Sequence, residues 1–349
     1  MINFLKNTGV LTFLLLANIS SAWAQSSQVA NVALYEGADR QQRLVAEAKK
    51  EGSLTLYTSL TPANLDVLRA DFEKKYSIKI NVWRAGGDTI VQRVMSETKA
   101  GKVGFDLVHI DALEMEALHR ENTLQQVKSP YMNSLLSSAV PPHREWVATF
   151  MNLVVMAYNT DQIKKGELPR TYQDLLDPRW KGRLGVEASD QEWFYTVIKE
   201  MGTDKGLKYF RDLVSTNGLS VRVGHSVLNN LVVAGDVPLA LTVYGQMPIL
   251  AKQKGAPIDW FTLEPTSATA FGIGLSRKAP HPSAAMLFYD YMISDGQKLL
   301  SQMYYVPTNK ETDSSFKNLP FKVVDVAVFL NEYEKWNTLF ENIIERKVK

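Results

Sequence analysis

The chain of 349 residues contains no cysteine. Disulfides, thiolate metal sites and cysteine nucleophiles are thereby excluded. It also lacks a charge of dominant sign. Lysine plus arginine total 39 and aspartate plus glutamate 37, a formal charge of +2. Neither nucleic acid nor an anionic membrane surface is implied by that balance. No Gly-x-Ser-x-Gly elbow, His-Glu-x-x-His helix or phosphate-cradling loop occurs, which leaves the common hydrolase and nucleotide-binding signatures unfilled. The five histidines, His109, His119, His143, His225 and His281, show no metal-ligand spacing. Glu114 and Glu116 stand two apart, so a helix does not put them on one face. Long apolar runs are absent too. The N-terminal run, Val10 to Ala17, is interrupted at Thr12 and is far below the roughly 20 residues that span a bilayer.

That short run has a meaning of its own. Lys6 precedes it, and Ser20-Ser21-Ala22-Trp23-Ala24 follows as an Ala-x-Ala cleavage pattern. Residues 1–24 therefore read as a secretory signal peptide, with a mature chain from Gln25. No cysteine follows for lipid attachment, so the expectation is a protein free in the periplasm and not inserted in a membrane.

What is present is ordinary globular material, 45% apolar and 22% charged, enough for two sizeable cores. Ala38 to Gly52 has helical periodicity and ends on glycine. Ser53–Ser59, Ile78–Trp83 and Phe105–Ile110 read as strands. Between and after them come helices through Leu65, Leu68 and Phe72, through Val91, Val94 and Met95, and over Ala112–Arg120. This alternation predicts an α/β unit with a mostly parallel sheet. Trp146 to Tyr158 is a charge-poor β stretch suited to leaving one lobe and entering another. The second half repeats the alternation, with strands at Arg183–Glu187, Leu219–Val223, Val237–Tyr244 and Pro257–Leu263. Its helices are expected from about Gln191, over Thr203–Ser215 and over Ser226–Ala234. Thr269–Leu275 would return to the first lobe, followed by a long helix Pro282–Gln302 and a helical tail from Val323. The expected division is lobe 1 at 25–150 plus 268–349, and lobe 2 at 151–267. In such folds ligands sit outside the carboxyl ends of the strands.

Several stretches resemble bacterial extracellular solute-binding proteins of the ferric-iron-binding type, which serve ATP-driven (ABC) importers. They are Leu54-Thr-Leu-Tyr-Thr-Ser59, Phe105-Asp-Leu-Val-His-Ile-Asp111, Tyr172-Gln-Asp-Leu-Leu-Asp-Pro-Arg-Trp-Lys-Gly182, Ala234-Gly-Asp-Val-Pro-Leu-Ala-Leu-Thr-Val-Tyr244 and Ala279-Pro-His-Pro282. The resemblance implies a two-lobed type II-like periplasmic-binding-protein fold with a two-strand hinge. It implies a cleft that closes on its ligand, a monomer, and an inner-membrane permease as partner. It implies no catalysis and no cofactor, ferric iron being a transported ligand. Iron-binding members use two adjacent tyrosines after a strand and a synergistic anion on a helix N-terminus. The pair would fall at Tyr244-Gly245-Gln246, where one tyrosine stands, and the histidine some members carry after the first strand is replaced by Thr58-Ser59-Leu60.

The residues after strands are the ligand candidates. Thr58 and Ser59 offer hydroxyls, or cap the next helix. Arg84 stands before Gly86-Gly87, an arrangement suited to an anion, or to a plain turn. Asp111 is a ligand group or an N-cap, whereas His109, inside its strand, reads as core. Glu187, Ser189, Asp190 and Trp193 form one strand-to-helix segment whose carboxylates favour a cation and whose indole offers a stacking face; alternatively Asp190 caps and Trp193 is core. His225 precedes a helix capped by Ser226. Tyr244 ends a strand and is the metal-ligand candidate if the cargo is iron. The alternative cargo is a small organic acid, phosphonate or amine, for an importer or a sensor. An exported hydrolase is the remaining reading.

Overall fold

The structure is a computed structural model that describes residues 26–316 and 318–345. The expected signal peptide, residues 1–24, lies outside the described residues. In chain order the strands are β1 (Ser53–Thr58), β2 (Lys79–Arg84), β3 (Leu107–Asp111), β4 (Leu124–Gln125), β5 (Trp146–Asn159), β6 (Leu184–Glu187), β7 (Ser220–Arg222), β8 (Leu239–Tyr244), β9 (Ile258–Phe261), β10 (Ser267–Ser276), β11 (Val306–Pro307) and β12 (Lys322–Val323). Two compact units result. Among the described residues the first comprises 26–149, 271–299 and 308–311; the second comprises 150–270, 300–307 and 312–345. The boundary falls inside β5 and inside β10.

In the first unit β1 pairs in parallel with β2 and with β3, and β3 pairs antiparallel with the second half of β10. Helices cover this sheet because their apolar residues recur on one face. Pro62–Tyr76 buries Leu65, Leu68 and Phe72, and Gly87–Ala100 buries Ile90 and Val94. Pro62 opens its helix at the first turn, where a missing N–H costs nothing. Gly52 closes the preceding helix, Arg40–Glu51, at φ 74°, a left-handed conformation that glycine adopts without strain. Gly87 allows a close approach: a Cβ there would lie 2.5 Å from Glu114 Oε1. The unit's buried ion pair joins Arg40 to Asp290, with Arg40 Nη2 3.3 Å from Asp290 Oδ1 and Ser129 Oγ donating to the same oxygen at 2.7 Å.

In the second unit β8 pairs in parallel with β6 and antiparallel with β5, β6 pairs in parallel with β7, and β9 pairs antiparallel with β5. All fourteen residues of β5 are buried, which accounts for its lack of charge. Helix Gln191–Met201 packs on Thr203–Asn217 through a glycine. A Cβ at Gly206 would lie 2.6 Å from Ile198 Cα.

The tail does not follow the expected division. The described tail residues from 312 to 345 belong to the second unit, not the first. Aromatic contacts hold them there: Phe340 meets Phe194 at 5.5 Å and Trp336 meets Tyr195 at 4.9 Å. The long helix expected over Pro282–Gln302 is two helices, Pro282–Met292 and Gly296–Gln302. Side chains take over the carbonyls at the break. Ser294 Oγ donates to Asp290 O at 2.6 Å, and Gln297 Nε2 donates to Met292 O at 2.6 Å. The segment Tyr172–Gly182 forms two 3₁₀ turns, Tyr172–Leu176 and Pro178–Trp180.

Candidate functional site

The second unit gathers four of the candidates. β6 ends at Glu187, which is 2% exposed. Its backbone N–H donates to Thr242 Oγ1 at 3.0 Å, which fixes the strand end against β8. Its carboxylate accepts three hydrogen bonds: from Ser189 N at 2.6 Å, from Ser189 Oγ at 2.5 Å and from Gly224 N at 2.7 Å. Gly224 is the N-cap of helix His225–Ala234. One acidic side chain thus ties the β6 turn to the start of that helix. Asp190 follows, 6% exposed, and opens helix Gln191–Met201 without a side-chain cap bond. His225 Nε2 lies 3.5 Å from Asp190 Oδ1 and 4.0 Å from Glu187 Oε2. The Tyr244 ring, at the end of β8, packs against the His225 ring with centroids 3.8 Å apart.

Burial dominates the electrostatics here. It raises the Asp190 carboxyl well above the usual carboxylate range, and the neighbouring Glu187 charge adds to this. It lowers the His225 imidazole, against the pull of Glu187. The Oδ2 of Asp190 and the Oδ1 of Asn229, one turn on from His225, are buried without a hydrogen-bond partner. An unsatisfied buried oxygen costs on the order of 1–3 kcal/mol, and a bound cation removes that cost. One ligand atom from each of Glu187, Asp190 and His225 falls within 4.8 Å of the others. With the Tyr244 phenol beside them, the donors are hard anionic oxygens plus an imidazole. That set suits a ferric ion or a cationic group.

Two residues of this segment take other roles. Trp193 is 2% exposed. Its Nε1–H donates to Tyr172 OH at 3.1 Å and its ring meets Phe210 at 5.3 Å. It is core, and the expected stacking face is not presented to a ligand. Ser189 spends both its hydroxyl and its N–H on Glu187, so it orients that carboxylate. Ser226, expected as the cap of the following helix, is replaced in that role by Gly224 at φ 95°.

The first unit holds the remaining candidates at the ends of its strands. Thr58 is fully buried. Its Oγ1 accepts from Leu60 N at 3.1 Å and lies 3.4 Å from His109 Nδ1. His109 Nε2 lies 2.9 Å from Thr149 Oγ1, whose own proton goes to Phe271 O at 3.2 Å. Thr149 therefore accepts, His109 carries its proton on Nε2, and Nδ1 accepts from Thr58. The Thr58 hydroxyl is committed to this chain and is not a ligand group, while Ser59 Oγ is buried and without a partner. Arg84 is exposed and donates from Nε to Leu60 O at 2.8 Å. Beyond it the helix Gly87–Ala100 starts at Gly86 with no side-chain cap. Asp111 precedes helix Ala112–Arg120 and makes no side-chain cap bond, so the capping alternative fails. Thr242 and Asn229 were invisible as site residues in the sequence, because each sits inside a regular element with no spacing signal.

Known proteins give the same direction. A family model for bacterial extracellular solute-binding proteins matches residues 103–331. Iron uptake protein A1 of Synechocystis sp. (strain ATCC 27184 / PCC 6803 / Kazusa) is 25% identical over 293 residues, spanning 76% of this chain and 80% of that protein. Iron-bound HitA from Pseudomonas aeruginosa superposes with a TM-score of 0.72 at 21% identity, covering 83% of this chain and 99% of that one. The periplasmic binding protein AfuA from Actinobacillus pleuropneumoniae, with exogenous fructose-6-phosphate bound, superposes with a TM-score of 0.73 at 20% identity, covering 85% and 100%. These structures share the α/β fold expected from the strand and helix order. The chain belongs to the bacterial extracellular solute-binding proteins.

Proposed function

We propose that this protein is the periplasmic substrate-binding component of an ABC importer and that its cargo is ferric iron, bare or chelated. It acts by binding, without turnover, and hands its cargo to an inner-membrane permease. The observation that carries the proposal is the convergence of Tyr244, His225, Asp190 and Glu187, with a buried Asp190 oxygen left for a cation. The names of Iron uptake protein A1 and of iron-bound HitA support the same cargo class. Of the first unit's candidates, Ser59, Arg84 and Asp111 remain proposed ligand-binding residues.

The test is a titration of refolded, ligand-free protein with ferric nitrilotriacetate and ferric citrate. A visible tyrosinate-to-iron absorption is expected, and Tyr244→Phe abolishes it. Saturation at about 100 times the dissociation constant adds roughly 2.7 kcal/mol, read as a rise of several degrees in Tm. Absence of both signals ends the iron reading.

One observation favours a second cargo, a small organic amine. Glu187 and Asp190 are two buried acids brought close together at the end of β6, and an ammonium group satisfies them as a metal does. A Tm rise with amines and none with ferric salts assigns the segment to that solute.

A further inference from the structure

The first unit brings together side chains that its sequence scatters. His119 stands near the C-terminal end of helix Ala112–Arg120, one turn from Glu116 on the same face. His143 and Glu145 come from the segment that leads into β5. The two imidazoles stack with centroids 3.6 Å apart and planes within 10°. His119 Nδ1 lies 2.7 Å from Glu145 Oε2, and the other oxygen of Glu145 is held by Arg277 Nη2 at 2.8 Å. His143 Nε2 lies 3.4 Å from Glu116 Oε2, and it is a buried nitrogen with no hydrogen bond. One ligand atom from each of Glu116, His119 and His143 falls within 4.8 Å of the others. The absence of metal-ligand spacing among the histidines is therefore a property of the sequence only.

From this geometry we infer a second metal site, one that takes a divalent transition cation such as Zn²⁺ through Glu116, His119 and His143. Two imidazoles and one carboxylate are a complete protein set for a four-coordinate ion with one open position. They favour Zn²⁺, Ni²⁺ or Cu²⁺ over Ca²⁺ or Mg²⁺, which prefer all-oxygen shells. Glu145 supplies the orientation such sites need. Because it accepts the His119 Nδ1 proton, the Nε2 lone pair of that ring is left for a metal. His143 adapts: its Nδ1 now accepts the Glu145 amide at 3.1 Å, and metal binding at Nε2 moves the ring proton to Nδ1 and ends that single contact. The rings also tilt from their stack so that the donors close to about 2.1 Å from the ion. Metal bonding removes the orphaned state of His143 Nε2. Helix Ala112–Arg120 has Asp111 at its start and His119 near its end, about 12 Å apart at 1.5 Å per residue. The site is thus separate from the cargo candidates and does not depend on the iron reading.

The experiment is calorimetric titration of the mature chain with Zn²⁺, and with Co²⁺ read by visible d–d absorption. A His225→Gln variant removes the cluster of the second unit from the count. The expected result is one Zn²⁺ per chain in His225→Gln. Adding His119→Asn or His143→Asn weakens it at least about 100-fold, and Glu145→Gln, which only orients, weakens it about 10- to 100-fold. His119→Asn alone leaves the ferric nitrilotriacetate titration unchanged, and thermal melts confirm that each variant folds. Failure of the His225→Gln chain to bind Zn²⁺ overturns the inference, as does binding that survives both histidine substitutions. Unmutated protein that gives no Co²⁺ absorption overturns it independently of any variant's folding.

Discussion

His109 makes the stability of the first unit depend on pH in a calculable way. Burial alone lowers its imidazole from 6.5 to about 3. The folded ring is neutral, with Nε2–H on Thr149 and Nδ1 accepting from Thr58. A second proton has no acceptor without turning the Thr58 hydroxyl away. The unfolded chain has no such restriction and binds a proton below about pH 6.5. The folded-state value is the depressed one, so this group's contribution is intact above 6.5 and is lost as pH falls toward 3. Each pH unit in that window costs about 1.4 kcal/mol, or about 5 kcal/mol over the whole of it. Between pH 7.5 and 4.5 the loss is about 2.5 kcal/mol. The assay is urea unfolding of the wild type and of His109→Gln at several pH values. Glutamine retains a donor and an acceptor but does not titrate. Other groups titrate alike in both proteins, so the difference between the two curves isolates His109. It should close by about 2.5 kcal/mol from pH 7.5 to 4.5. A difference that stays constant with pH refutes the assignment of a neutral, buried imidazole.

Two further substitutions test placements on which the site rests. Trp193→Phe removes the indole bond to Tyr172 OH and should cost about 1–2 kcal/mol of stability while leaving the ferric titration unchanged; weakened binding at unchanged stability would return Trp193 to the ligand set. Gly206→Ala places a methyl 2.6 Å from the Ile198 backbone. Overpacking of about 1–3 kcal/mol exceeds the gain of up to about 1 kcal/mol in helix propensity, so urea unfolding should shift to lower concentration, and a shift to higher concentration would show that the two helices separate freely.

The fold was legible wherever local chemistry and tertiary packing agree. Gly52 and Gly235 marked helix ends because left-handed residues close helices, and both adopt that conformation, at φ 74° and 84°. The strand β5 was visible through its lack of charge, because burial on both sides excludes charge. Agreement failed where a side chain replaces the backbone as hydrogen-bond partner. The periodicity does not announce the break after Met292, because Ser294 and Gln297 take the carbonyls of Asp290 and Met292 with their side chains, four and five residues back, in place of the backbone N–H groups. The tail was misassigned for a related reason: helical periodicity in Tyr333–Phe340 shows that an apolar face exists, not which core receives it. In the site, strand-end positions pointed to Tyr244, His225 and Glu187 because the ends of parallel strands are set by topology. Direction within a turn is not set that way. An indole three residues after a capping acid can face either way, and Trp193 faces in.

Glu187 carries the strongest argument about cargo chemistry. The Gly224 amide at the start of helix His225–Ala234 and the Ser189 amide are the kind of donors that bind anions at helix N-termini. Here they are spent on the protein's own carboxylate, at 2.7 and 2.6 Å. The resemblance to iron-binding proteins implied a synergistic anion on a helix N-terminus. At this helix an internal carboxylate takes the donors such an anion would use, and a second buried acid, Asp190, stands next to it. An external phosphate would meet two buried acids and two amides already satisfied, and each unpaired buried charge costs several kcal/mol. A cation meets the reverse: an unsatisfied Asp190 oxygen, an imidazole held neutral by burial, and a phenol. Burial, with the neighbouring Glu187 charge adding to it, raises the Asp190 carboxyl; a cation at Asp190 favours its ionised form, so cation binding and loss of the Asp190 proton are linked. These features support the proposed cation cargo over a phosphate ester at this point of the fold, even though a fructose-6-phosphate complex shares the architecture.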